Sequence, residues 1–158
     1  MKLKKLSAVV LAAVMCLGLA ACGGKDDAQK PGDTMSPAEI AETITKDVKD
    51  LPTSEIMELD AESFASFAFI DMGEGMEGVA AEGLISSVAH SVVVVRVPEG
   101  GDAEAVRDSI EQNADPRKWI CVEAEKTIVK AHGNTVLLVM SFTDTADAIA
   151  ANFDGLWK

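Results

Sequence analysis

The stretch Ser91-Val-Val-Val-Val-Arg-Val97 (SVVVVRV) decides the fold. A strand with one wet face alternates apolar and polar residues. An unbroken run of β-branched side chains instead marks a strand covered on both faces, hence central in its sheet. Downstream, Pro98-Glu-Gly-Gly reads as a turn, and Asp102 caps a helix with Ala105, Val106 and Ile110 facing in. Asp115-Pro116 restarts the chain as a helical turn near Trp119. Residues 126–131 and 135–140 are β-rich, and His132-Gly133-Asn134 between them signals a hairpin. Thr143 or Asp144 opens a last helix with Ala146, Ile149 and Phe153 inward.

Upstream, residues 73–90 are glycine-rich, then small and apolar, with no clear period. Asp60 caps a short helix that buries Phe64, Phe67 and Ala68. Ser36-Pro-Ala-Glu39 is a capping box with proline at the first helical position. Ile40, Ile44, Val48 and Leu51 follow on one face, and Pro52 ends the helix. No internal repeat is present. The pattern predicts one α+β domain over residues 36–158: a small, mostly antiparallel sheet with helices packed on one face. Only the crossover from Val97 through the Asp102 helix offers a parallel pair.

The chain opens MKLKKLSAVVLAAVMCLGLAACGG. Lys2, Lys4 and Lys5 precede an apolar run, and small residues precede Cys22, the form of a secretory signal peptide over residues 1–21. The run is too short for a membrane span. Leu19-Ala20-Ala21-Cys22 resembles the lipobox of bacterial lipoproteins. That resemblance implies a diacylglyceryl group on the Cys22 sulfur and cleavage just before it, with Leu19 and Ala21 read by the processing enzymes. Two acyl chains at roughly 0.8 kcal/mol per buried CH₂ hold firmly where one holds marginally. The implied location is the extracytoplasmic side of the cell membrane, attached by the lipid. Residues 22–35 read as the lipidated cysteine and a flexible tether, averaging roughly 20 Å in reach.

The lipobox, the valine strand, the helix over residues 103–112 and the run Gly133-Asn-Thr-Val-Leu-Leu-Val-Met-Ser141 together resemble an uncharacterised group of small bacterial lipoproteins, a domain of unknown function. The resemblance spans about residues 36–153. It implies a shared fold and supplies no catalytic residues.

The formal charge is −12. The leader removes three of 14 bases and none of 26 acids, leaving −15 on the mature side chains. So acidic a domain is repelled by anionic headgroups and has no basic stripe for nucleic acid. Of three cysteines, Cys16 leaves with the leader and Cys22 is lipidated, so Cys121 has no intramolecular partner. The fold must therefore rest on a hydrophobic core.

Gly73-Glu-Gly-Met-Glu-Gly78 matches G-x-G-x-x-G, with Glu99 at a suitable distance for a ribose hydroxyl. Glu74 and Glu77 would set negative charge against a pyrophosphate, so the segment reads as a glycine loop. Asp71 to Glu82 fails as an EF-hand, since Gly73, Gly75 and Met76 occupy ligand and turn positions. His90, His132 and Cys121 are the candidate nucleophile partners or soft ligands, too few and too scattered for a zinc motif. Cys121, between Ile120 and Val122, reads as a core residue. Arg117-Lys118-Trp119 reads as a core tryptophan beside cations paired with acids. Trp157 reads as a cap on the core edge.

The expectation is a non-enzymatic binding or interaction module of the cell envelope, without cofactor or metal, whose partner is an envelope protein or ligand. Two alternatives stand beside it. One is a small solute-binding accessory lipoprotein; the other is a hydrolase or redox enzyme using His90, His132 or Cys121.

Overall fold

The computed structural model describes residues 29–158. Leu19, Ala20, Ala21 and Cys22 lie outside the described residues. The elements run α1 (Pro31–Thr34), α2 (Pro37–Thr45), β1 (Ser54–Glu58), α3 (Ala61–Ala68), β2 (Glu77–Gly83), β3 (Ser91–Arg96), α4 (Ala103–Asn113), β4 (Lys126–His132), β5 (Thr135–Ser141) and α5 (Thr143–Gly155). The class is α+β, with one five-stranded sheet of order β1-β2-β3-β5-β4 and every neighbouring pair antiparallel.

The valine strand is the middle strand, as its composition requires. Val93 and Val95 join Ala80, Leu138 and Met140 beneath Phe64 and Ala68 of α3 and Ala103 and Ile110 of α4. Val92 and Val94 join Ala81, Leu137 and Val139 beneath Ile40 and Ile44 of α2 and Ile149 and Phe153 of α5. Helices therefore cover both faces, which corrects the expectation of one. The cause lies in β3 and β5, whose successive side chains are buried on alternate sides. Each fully buried valine or leucine contributes about 1.5–3 kcal/mol, and each face needs its own cover to collect it.

The α4 crossover creates no adjacent parallel pair. It carries the chain from β3 to β4, and β5 returns between them. The β4–β5 hairpin turns at Gly133, which takes φ 56°, a value that glycine adopts without strain.

Local signals place the caps. Ser36 Oγ accepts from the Glu39 amide and Glu39 reciprocates to the Ser36 amide. Asp60 and Asp102 cap α3 and α4. Three local readings change. The α2 helix stops at Thr45, before Val48 and Leu51, because Asp47 and Asp50 turn the chain through positive φ. Ala105 faces outward, and Ala103 takes the inner position on α4. No side chain of its own caps α5; Glu125 reaches across from the α4–β4 connection to accept from the Thr143 amide at 3.0 Å.

The tether expectation extends to Met35, but residues 30–35 are docked on the domain. Arg96 donates to the carbonyl oxygens of Gly32 and Met35 at 3.1 and 2.6 Å. Gly32 is buried, and its amide donates to the Leu156 carbonyl.

Candidate functional site

The structure does not gather His90, His132 and Cys121. His90 enters β3 at the end of the sheet marked by Ser91, Glu82 and Met140. His132 closes β4 opposite Thr135, at the Arg96 end. Six strand residues at ~3.3 Å each, about 20 Å, separate the two ends. Cys121 is exposed, which corrects its reading as a core residue. Its neighbour Ile120 is fully exposed as well, because the 114–125 connection is pinned by Lys118 and Ala124 and leaves its tip outside.

His90 is sealed in the interior, and its Nδ1 lies 2.9 Å from Ser141 Oγ. Its Nε2 has no hydrogen-bond partner among the described residues. Burial first, and the charge of Lys118 second, pull the imidazole down to about 4. It is neutral at physiological pH.

On the opposite face at the same end, Lys118 Nζ donates to Glu82 Oε1 at 2.9 Å and to Ser91 Oγ at 3.0 Å, while Ser91 donates to the same carboxylate oxygen. Phe67 and Trp119 flank the ammonium, with ring centroids 4.9 and 5.1 Å away. Burial lowers the Lys118 pKa, and Glu82 opposes that shift. A serine beside a lysine invites comparison with a nucleophile pair. Here the Ser91 hydroxyl and Lys118 Nζ both donate to Glu82 Oε1, so the serine proton is committed to the carboxylate and not to the lysine. Ser91 is also inaccessible. The cluster is a buried ion pair that fastens the 114–125 connection to the sheet. Lys118 and Trp119 match their structural reading, Trp119 being half-buried against the core.

His132 meets Asp154 at 2.9 Å, and its ring stacks on Trp157 with centroids 5.3 Å apart. Lys130 Nζ donates to the other Asp154 oxygen at 2.6 Å. Burial pushes Asp154 up, but hydrogen bonds from Lys130 and His132 more than offset it and hold the carboxyl below the usual range. Trp157 covers the core edge as expected.

The segment Gly73–Gly78 is a turn leading into a strand, not into the helix a pyrophosphate site needs. Gly78 is small because Phe64 lies across it: a Cβ there would meet the Phe64 ring at 2.8 Å.

The apolar surface lies elsewhere. Leu84, Ile85 and Phe142 are 60%, 58% and 42% exposed. Ile85, Val88, Phe142, Pro52 and Thr53 line a small cavity of about 200 Å³. Pro52 and Thr53 continue into a groove of about 440 Å³ between α2 and β1, floored by Leu51, Ile56 and Ala81. Beyond the far end of β1 lies a third hollow of about 350 Å³, bounded by Pro37, Leu59, Glu58 and Glu77. Sequence reading missed this surface, although Leu84-Ile85 between Gly83 and two serines is an apolar pair stranded in a loop.

This chain matches no family model, no curated protein and no solved structure. Among the described residues, no helix is long and apolar enough to cross a membrane, and no three His, Cys, Asp or Glu side chains group to hold a metal.

Proposed function

We propose that this chain is an extracytoplasmic lipoprotein, anchored to the cell membrane through a diacylglyceryl group on Cys22, and that its domain is a non-enzymatic binding module for an envelope component. The observation that carries the binding role is the polarity of the domain. Residues 30–35 dock at the Arg96 end of the sheet, while Leu84, Ile85 and Phe142 stand exposed at the other end. The proposed anchor at Cys22 then joins the domain at the end opposite those apolar side chains. Clustered exposed apolar side chains mark interaction sites on soluble domains. The hydrolase or redox alternative lacks geometry, since His90 is sealed, Cys121 is exposed and His132 lies at the far end.

Two measurements test this reading. Native protein labelled with radioactive palmitate is expected in the membrane fraction, and Cys22→Ala in the soluble one. A native chain without label, or a variant that stays on the membrane, overturns the anchor. Photocrosslinkers at Ile85 and Phe142 in intact cells are expected to give a discrete adduct that Arg117 and Asp144 positions do not. Equal labelling from all four positions overturns the binding surface.

A further inference from the structure

The outer edge of β1 is a second element of the same surface. In an antiparallel pair, alternate residues turn their backbone groups toward the partner strand and the rest turn them outward. The Leu84 amide donates to the Thr53 carbonyl and the Leu59 amide to the Gly78 carbonyl, both at 2.9 Å. With the register Glu55↔Glu82 and Met57↔Ala80, the odd-numbered residues bond inward. Ser54, Ile56 and Glu58 therefore present their N–H and C=O groups outward. Among the described residues, no loop or helix hydrogen-bonds to them.

Natural sheets blunt such edges with charged side chains, lysine above all, with proline, or with a covering element. The other edge, β4, follows that rule: Lys126 and Lys130 lie on it and pair with Asp147 and Asp154 of α5. In β1, Ser-Glu-Ile-Met-Glu contains neither lysine nor proline, and its two charges, Glu55 and Glu58, guard the edge against an acidic strand and not against a cationic one. The α2–β1 groove lies beside its start and the Glu58–Glu77 hollow beside its end. A bare edge between two side-chain hollows is the arrangement that strand addition uses: main-chain bonds supply affinity, and alternate side chains supply specificity.

Charge selects the occupant. Glu55 and Glu58 lie on the edge, Glu77 in one hollow and Glu42 in the other, against the single cation Lys46. A second copy would bring the same acids to face themselves. We infer that the outer edge of β1 receives an extended, cationic segment of a partner polypeptide as a sixth strand, with an apolar side chain against Leu51 and Ile56 and a cationic one against Glu58 and Glu77. This inference rests on the binding-module reading and specifies its partner.

The test uses the full chain, purified as the cell makes it, and a fluorescein-labelled nine-residue peptide of alternating valine and lysine. Fluorescence anisotropy is expected to show saturable binding. N-methylation of one alternate set of peptide residues should weaken it at least tenfold, and methylation of the other set less than threefold. Replacing lysine by glutamate should also cost at least tenfold. Hydrogen exchange at the Ser54, Ile56 and Glu58 amides should slow at least tenfold with peptide bound. Because a proline placed in β1 can also unfold the strand, the peptide series on unaltered protein decides. Indifference to N-methylation, no protection of these three amides, or their protection without peptide in a sedimenting dimer each overturns the inference. If the peptide fails while the Ile85 and Phe142 adducts persist, strand addition alone falls. Loss of both removes the binding-module reading as well.

Discussion

Trp157 donates its indole N–H to Asp33 at 2.8 Å, joining positions 124 residues apart in sequence. The same ring lies over Gly32, where a Cβ would overlap it. With the Arg96 bonds to Gly32 and Met35, this contact seats residues 30–35 on the last turn of the domain. Trp157→Ala should cost about 2 kcal/mol, less than a fully buried tryptophan because this one is half-exposed. Gly32→Leu should leave the core intact and open the bond before Asp33 to endoproteinase Asp-N. Unchanged urea midpoints and cleavage patterns would show that the staple contributes nothing.

The Lys118–Glu82 pair has side chains only 13% and 15% exposed. Removing one partner strands the other charge, so Lys118→Met or Glu82→Leu alone should each cost about 2–4 kcal/mol. The double variant should cost less than either single change, since no charge is then left unpaired. Additive losses in a double-mutant cycle would contradict that account.

His90 makes stability depend on pH with a definite sign. Its pKa is about 4 when folded, against an ordinary 6.5, so between those values the unfolded chain binds more protons. The contribution of His90 is complete above pH 6.5 and is lost as pH falls through 4, amounting to roughly 3 kcal/mol. Urea unfolding at pH 7 and pH 4.5 should therefore show a steeper loss for the native chain than for His90→Gln. Parallel losses would mean that the imidazole does not titrate against folding.

Gly78→Ala should destabilise by about 1–3 kcal/mol, because the new methyl overlaps the Phe64 ring. Phe64→Leu in the same chain should recover part of that loss. Gly100→Ala is the control with no steric neighbour, its cost arising only from φ 83°. Equal effects of Gly78→Ala with and without Phe64→Leu would rule out the close approach as the reason for glycine.

Cys121 should react with a thiol reagent in the folded protein at a rate close to that of an unfolded chain, since it is exposed. Cys121→Ser identifies the signal. Protection until unfolding would restore the core reading.

The features legible in the sequence are the ones set by near neighbours. The Ser36–Glu39 box, the Asp60 and Asp102 caps, the hairpin around Gly133 and the burial of the valine strand on both faces each depend on a few residues of local chain. Together they were enough for the α+β class. What only the tertiary structure decided is everything that needs a distant partner. The strand Glu-Gly-Val-Ala-Ala-Glu-Gly has weak β preference of its own and exists because β1 and β3 bond to both its edges. The Gly78 strand position is smooth because Phe64 arrives from α3. Cys121 lies outside because Lys118, three residues earlier, is drawn to Glu82. Residues 30–35 are ordered by Arg96 and Trp157, neither of which adjoins them in sequence. The bare β1 edge follows from strand order, which is settled only when hydrophobic faces distant in the chain compete for the same cover.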